Sequence, residues 1–265
     1  MGNRRRLATV ALLLFAAATF AAAASAEVIQ AGNVRVDFLA KFAPTALPRE
    51  APAPITVEVG GKISTTDGRQ PPALRDLRVE LNSAGRIEST GLPTCEASLL
   101  QSTDTAAALA RCVPAKVGEG GFEAQFEFGG KPLVVHGRAL VFNAKVGRRP
   151  GMLVHIFISE PVGVTLVVPL KISRRPGEFG TVLSARIPAL AGGLGSVTEL
   201  RLRIGRRYEH GGARRSYLSA ACAAPAGFPG AVFAFARGAF VFEGGRDLHT
   251  TLTRSCQVRK PAGSG

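Results

Sequence analysis

The sequence predicts an all-β fold: a single β-sandwich with jelly-roll or Ig-like connections and one short, disulfide-tethered helix. Three observations predict it. Segments such as Leu77-Arg-Val-Glu-Leu81 alternate apolar and polar residues, the period of a half-buried strand. Between such segments stand 31 glycines and 17 prolines, which favour turns over element interiors. No long amphipathic helical pattern competes with the strands.

Residues 1–26 stand apart from this pattern. Arg4, Arg5 and Arg6 form a cationic segment, Leu7 to Ala24 carry no charge, and Ala24-Ser25-Ala26 is a small-x-small site before Glu27. That order is the order of a secretory signal peptide, with cleavage expected after Ala26. The alternative is an uncleaved anchor, since the apolar run is just long enough to span a bilayer. Its second half is mostly alanine, however, which partitions weakly into lipid. No cysteine follows the cleavage point to carry a lipid. Asn3 to Leu7 resembles a twin-arginine signal only weakly, so the export route stays open. Removal of residues 1–26 leaves 239 residues (265 − 26) with a net charge of +11 (+14 − 3). Such a length builds one generous core. The expected organisation is a lead-in over 27–33, a β-sandwich domain over 34–258 and a disordered tail over 259–265.

The elements follow in order. Val34-Arg-Val-Asp-Phe38 alternates as a strand. Pro44, Pro48, Pro52 and Pro54 then make an extended connector unsuited to helix interior or central strand. Ile55 to Val59 and Leu77 to Leu81 resume the alternation, separated by the turn residues Thr66-Asp67-Gly68. One helix is expected over Thr105 to Arg111, an alanine-rich stretch capped by Ser102 or Thr103. Phe122 to Phe128 places Phe122, Phe126 and Phe128 on one face and Glu123, Gln125 and Glu127 on the other. Further strands are expected at 133–143, 152–159, 164–172, 181–187, 197–208, 216–221, 231–236, 239–243 and 248–256. The parity of the phenylalanines changes between Phe233/Phe235 and Phe240/Phe242, so a bulge or tight turn is expected around Arg237-Gly238.

Four cysteines in an exported chain suggest two disulfides. Three pairings are possible; the local ones, Cys95–Cys112 and Cys222–Cys256, are the expectation, each closing a modest loop. A metal site would want Cys-x-x-Cys spacing, and neither that nor a histidine cluster is present.

Charge is the other conspicuous property. The chain has 26 arginines against 7 lysines. Lys145-Val-Gly-Arg-Arg-Pro-Gly151 and Lys171-Ile-Ser-Arg-Arg-Pro-Gly177 share a pattern, and both are turns. If the strands between them run as a meander, both turns reach the same end, and the turn from Arg206 to Arg215 joins them there. The expectation is a basic pole of Arg148, Arg149, Arg174, Arg175, Arg206, Arg207, Arg214 and Arg215. The planar guanidinium suits phosphate, sulfate and carboxylate. The competing reading is that these arginines are solvated turn residues that bind nothing, their number inflated by a GC-rich coding sequence.

Catalytic patterns are missing. The nearest text to a Gly-x-Ser-x-Gly elbow, Gly193-Leu-Gly-Ser196, has the wrong spacing. Glu123 and Glu127 share one strand face and are expected to be solvated, not to flank a sugar cleft. Calcium wants a run of Asp and Asn, and the five aspartates are dispersed. No phosphate-cradling or dinucleotide glycine motif stands between a strand and a helix. His136 and His155 are expected to pack inside strands, with His210 exposed. With no Trp and two Tyr, sugar stacking is disfavoured.

Gly91-Leu-Pro-Thr-Cys95 with Cys112, Ala115-Lys-Val-Gly-Glu-Gly120, Val141-Phe-Asn143, Arg215-Ser-Tyr-Leu-Ser-Ala-Ala-Cys222 and Ser255-Cys256 are also informative. Together they resemble a group of exported β-rich proteins of high-GC actinobacteria for which no activity is established. The resemblance runs from about Leu47 to Val258. It implies export and a shared cysteine pattern, and it supplies no catalytic residue. The expected function is that of a non-enzymatic exported or cell-envelope protein associating with anionic polymers through its arginine turns, without cofactor, metal or nucleic acid. The alternatives are a secreted hydrolase with a dispersed active site and a purely structural sandwich.

Overall fold

The computed structural model describes residues 26–129, 131–160 and 163–259; the predicted signal peptide, up to residue 25, and the tail beyond 259 lie outside them. The strands are β1 (Glu27–Ala31), β2 (Val34–Ala43), β3 (Ala46–Leu47), β4 (Ala53–Pro54), β5 (Thr56–Thr65), β6 (Leu74–Leu81) and β7 (Gly85–Ile87). Two helices follow, α1 (Ala97–Leu100) and α2 (Thr105–Cys112). The rest is β8 (Lys116–Phe128), β9 (Lys131–Val146), β10 (Arg149–Ile158), β11 (Val164–Arg174), β12 (Thr181–Arg186), β13 (Gly195–Ile204), β14 (Arg207–His210), β15 (Ala213–Ser216), β16 (Leu218–Ala220), β17 (Gly230–Phe242) and β18 (Asp247–Val258). The expected lead-in is therefore a strand: β1 pairs with β2 from Glu27–Phe38 to Ala31–Val34.

The fold is mostly β, but its layers are not two separate sheets. Thirteen strands hydrogen-bond in the order β1-β2-β5-β13-β8-β9-β10-β11-β12-β6-β17-β18-β3. This single sheet curls until β1 packs beside β18. Phe38 on β2 then meets Phe240 on β17 at 5.5 Å, and Phe42 meets Phe235 at 5.1 Å. The curl puts one face of every long strand inside, which is why alternation dominates the sequence. Gly120 on β8 helps: a Cβ there would fall 1.7 Å from the Arg201 carbonyl oxygen, so only glycine lets β8 approach β13 this closely. All pairings in the sheet are antiparallel except β18 with the two-residue edge strand β3. β3 and β4 are the only strands in the proline connector, consistent with proline's exclusion from ladder interiors.

Strands β9 and β10 are apolar on both faces because something covers each. Val135, Ala139, Val141, Met152, Val154 and Ile156 face the main core. Leu140, Phe142, Ala144 and Leu153 face outward, beneath Leu100, Ala108 and Cys112 of the two helices. Asp104, not Ser102 or Thr103, caps α2, its carboxylate accepting from Ala107 N at 2.7 Å. Thr103 is instead buried, its Oγ1 donating to the Leu100 carbonyl. The Asn143 amide donates to the carbonyls of Leu92 and Pro93, and Cys95 N donates to the Asn143 carbonyl, pinning the Gly91–Cys95 loop to β9.

The disulfides are Cys95–Cys112, with Cα atoms 5.6 Å apart, and Cys222–Cys256, at 5.7 Å. Two disulfides point to an oxidising, extracytoplasmic environment. Among the described residues no helix is long and apolar enough to cross a membrane. The segments expected as strands 231–236 and 239–243 are one strand, β17. Its register against β18 shifts between Ala234 and Ala236, slightly before the expected Arg237-Gly238.

Candidate functional site

Register decides where the arginine turns go. Ile204, Gly118, Val141, Val154 and Val168 lie in one row across β13, β8, β9, β10 and β11. From that row β9, β11 and β13 all run toward the same end. β9 turns into β10 at Gly147-Arg148, β11 leads to Arg175, and β13 leads to Arg206 and the β14–β15 hairpin. The three arginine segments thus share one end of the curled sheet. A small second sheet, β4-β16-β7, lies at this end. The exposed Arg86 of β7 adds to its charge.

The eight arginines are not equivalent. Arg148, Arg149, Arg207 and Arg214 are exposed. Arg206 is half-buried and donates to the carbonyls of Val113, Pro114 and Lys116, tying the hairpin to the segment after α2. Arg174 donates to the Ile87 carbonyl of β7 at 3.0 Å. Arg175 pairs with Glu80, a carboxylate only 7% exposed that also meets Arg78 at 2.9 Å and Arg237 at 3.4 Å. Arg237 in turn lies 4.3 Å above the Phe179 ring. Arg215 is half-buried beside Glu88, and its Nε has no hydrogen-bond partner among the described residues. Four carboxylates moderate the field: Glu80, Glu88, Glu178 in the β11–β12 turn, and Glu209, which faces Arg214 across the hairpin. Hydrogen bonds from Thr90, with the charges of Arg215 and Arg174, hold the Glu88 carboxyl below its usual range.

The β14–β15 hairpin is fixed by contact with the loop after β7. Tyr208 donates its hydroxyl to the Thr90 carbonyl at 3.0 Å, and burial raises its pKa. The His210 ring lies against Gly91, whose φ is +78° and whose Cβ would fall 2.1 Å from the ring. Only glycine serves there.

The other sequence candidates are dispersed. His155 is fully buried, as expected. His136 is not: its side chain is 73% exposed, because β9 projects beyond its β10 partner, which begins pairing only at Gly137. Its Nδ1 stands 3.6 Å from Glu123, and Thr198 Oγ1 donates to the same carboxylate at 2.8 Å. Glu123 is therefore engaged on the outer sheet face and does not line a cleft with Glu127. Among the described residues no group of three His, Cys, Asp or Glu side chains could hold a metal ion.

The sequence reading missed a second feature. Inside the curl is a cavity of about 160 Å³ whose lining side chains are all apolar. Ile87 and Leu218, from the small sheet, line it toward the arginine end. A void of this size costs on the order of 4 kcal/mol when empty. The signal lies in β5: Val57, Val59 and Ile63 face inward at alternate positions, and Gly61 interrupts the series with no side chain.

No protein-family model, curated protein or solved structure matches the chain.

Proposed function

We propose that the protein is a non-enzymatic, extracytoplasmic binding protein that associates with an anionic polymer through its arginine end. The observation that carries this is the convergence of the three arginine turns. Arg148, Arg149, Arg207 and Arg214 carry the binding, being exposed and outside the internal bonds that occupy Arg174, Arg175 and Arg206. Charges of one sign gathered at one end add their fields, and a polymer of phosphates, sulfates or carboxylates can meet several at once.

The test is salt elution from a heparin matrix, with two quadruple alanine variants. One removes Arg148, Arg149, Arg207 and Arg214; the other removes Arg35, Arg69, Arg186 and Arg246, all at the opposite end. The wild type should be retained, the first variant should elute at much lower salt, and the second should stay close to wild type. Equal shifts in both variants would mean that net charge alone is being read, and absence of retention would dispose of the reading.

A further inference from the structure

We infer that the interior cavity is a binding site for one short unbranched hydrocarbon chain, the tail of a medium-chain fatty acid. This goes beyond the arginine end and is independent of it.

Protein interiors are normally packed to crystal density. Here the inward-facing Val59, Leu77, Leu166, Leu170, Val197 and Leu200 remain only half-buried, because they face the cavity and not one another. Gly61 sits between its register partners Phe38 and Leu200, and a Cβ there would meet only the Asp37 carbonyl oxygen, at 3.6 Å. The missing side chain leaves room in the middle of the barrel wall.

The size selects the ligand. A cavity of about 160 Å³ is close to one that accepts a single benzene ring, so it holds on the order of six to eight carbon atoms. That suits a short methylene chain and is too small for a fused ring system or a long acyl chain. Cavities of this size lined by Leu, Ile and Phe stay dry and take apolar guests. No lining side chain can solvate a polar group, so the headgroup must remain outside.

The two ends differ. Ile87 and Leu218 close the arginine end. At the other, the inward face continues into Leu133 on β9 and Val164 on β11, 38% and 47% exposed, next to the half-buried Phe126. Residues on the core-facing side of a strand are exposed only where the core opens to solvent. The chain therefore enters between β8, β9 and β11, with its headgroup at the apolar rim.

The experiment titrates the purified protein with octanoic acid by isothermal titration calorimetry at high salt, so that attraction to the arginines does not contribute. Gly61→Leu and Val197→Phe fill the cavity from the adjacent strands β5 and β13, and circular dichroism with thermal unfolding checks that each is folded. Saturable binding of one molecule per chain, weakened tenfold or more in whichever filling variant folds, is expected. The arginine quadruple variant should bind as wild type does. Non-saturable uptake, or unchanged affinity in a folded filling variant, would overturn the inference. Should neither variant fold, native mass spectrometry of the wild type with the same acid decides: a one-to-one complex upholds the site and its absence rejects it.

Discussion

Phe38 and Phe240 meet edge to face at 5.5 Å, although their strands stand second and eleventh in the thirteen-strand order. No ladder of hydrogen bonds joins β2 to β17; ring packing across the interior holds the curl shut there, beside the bond from Arg254 Nε on β18 to the Ala40 carbonyl of β2 at 2.7 Å. Phe240→Ala should lower unfolding stability by about 3–5 kcal/mol, read from urea titration. An effect below about 1 kcal/mol would mean that the curl is held elsewhere.

The His155 ring is fully buried, with Nε2 3.0 Å from the Thr103 carbonyl oxygen and Nδ1 without a partner among the described residues. Burial lowers its pKa, partly offset by the hydrogen bond to Thr103 and the Asp104 carboxylate. On acidification the unfolded chain binds this proton first, so stability is present above the unfolded value of about 6.5 and declines as pH falls below it. The slope approaches about 1.4 kcal/mol per pH unit at most. His155→Gln, which keeps a donor for Thr103, should flatten that decline in thermal unfolding measured between about pH 5 and 7.

Glu80 is nearly buried under Arg78, Arg175 and Arg237, each of which is itself well solvated. Glu80→Gln leaves three guanidinium groups without their shared counter-charge. Solvent screening of the arginines limits the loss to about 1–3 kcal/mol, and the loss should grow as ionic strength falls. A salt-independent loss would show that packing, not charge, is at stake.

Gly91→Ala should detach the β14–β15 hairpin, because the substituted residue is strained at φ +78° and its Cβ strikes the His210 ring. Stability should drop by about 1–3 kcal/mol, with amide exchange accelerated at Tyr208 to Ser216 and little changed in β9 and β10. Uniform acceleration throughout the sheet would contradict a local role for the contact.

Much of the fold was legible in the residues. The strands in β2, β5, β6 and β8 follow directly from alternation, and both disulfides are the local pairs that short loop closure favours. What alternation does not reveal is how strands join, because a strand facing a second sheet and a strand facing the far wall of its own sheet bury the same residues. The apolar runs at 139–144 and 152–158 held a further clue: losing alternation there means a cover on the outer face, which the helices supply. The arginine end was legible only as a hypothesis about strand direction, and the bonds to Ile87, Glu80 and Lys116 that occupy Arg174, Arg175 and Arg206 come from distant segments with no linear signature. The cavity was harder still, since a lining of valines and leucines reads the same whether or not its members touch.

The placement of β6 shapes how such a chain can be made. Val79 pairs with Leu183 on one side and Gly238 on the other, so one edge of β6 stays bare until β12 arrives and the other until β17 does. Non-local pairing of this kind is slow and leaves sticky edges exposed meanwhile. A chain truncated before Gly230 loses the partner that completes the wall, and stands as an unsealed sheet prone to aggregate. Arrival of β17 is thus the event that commits this sheet to its native state.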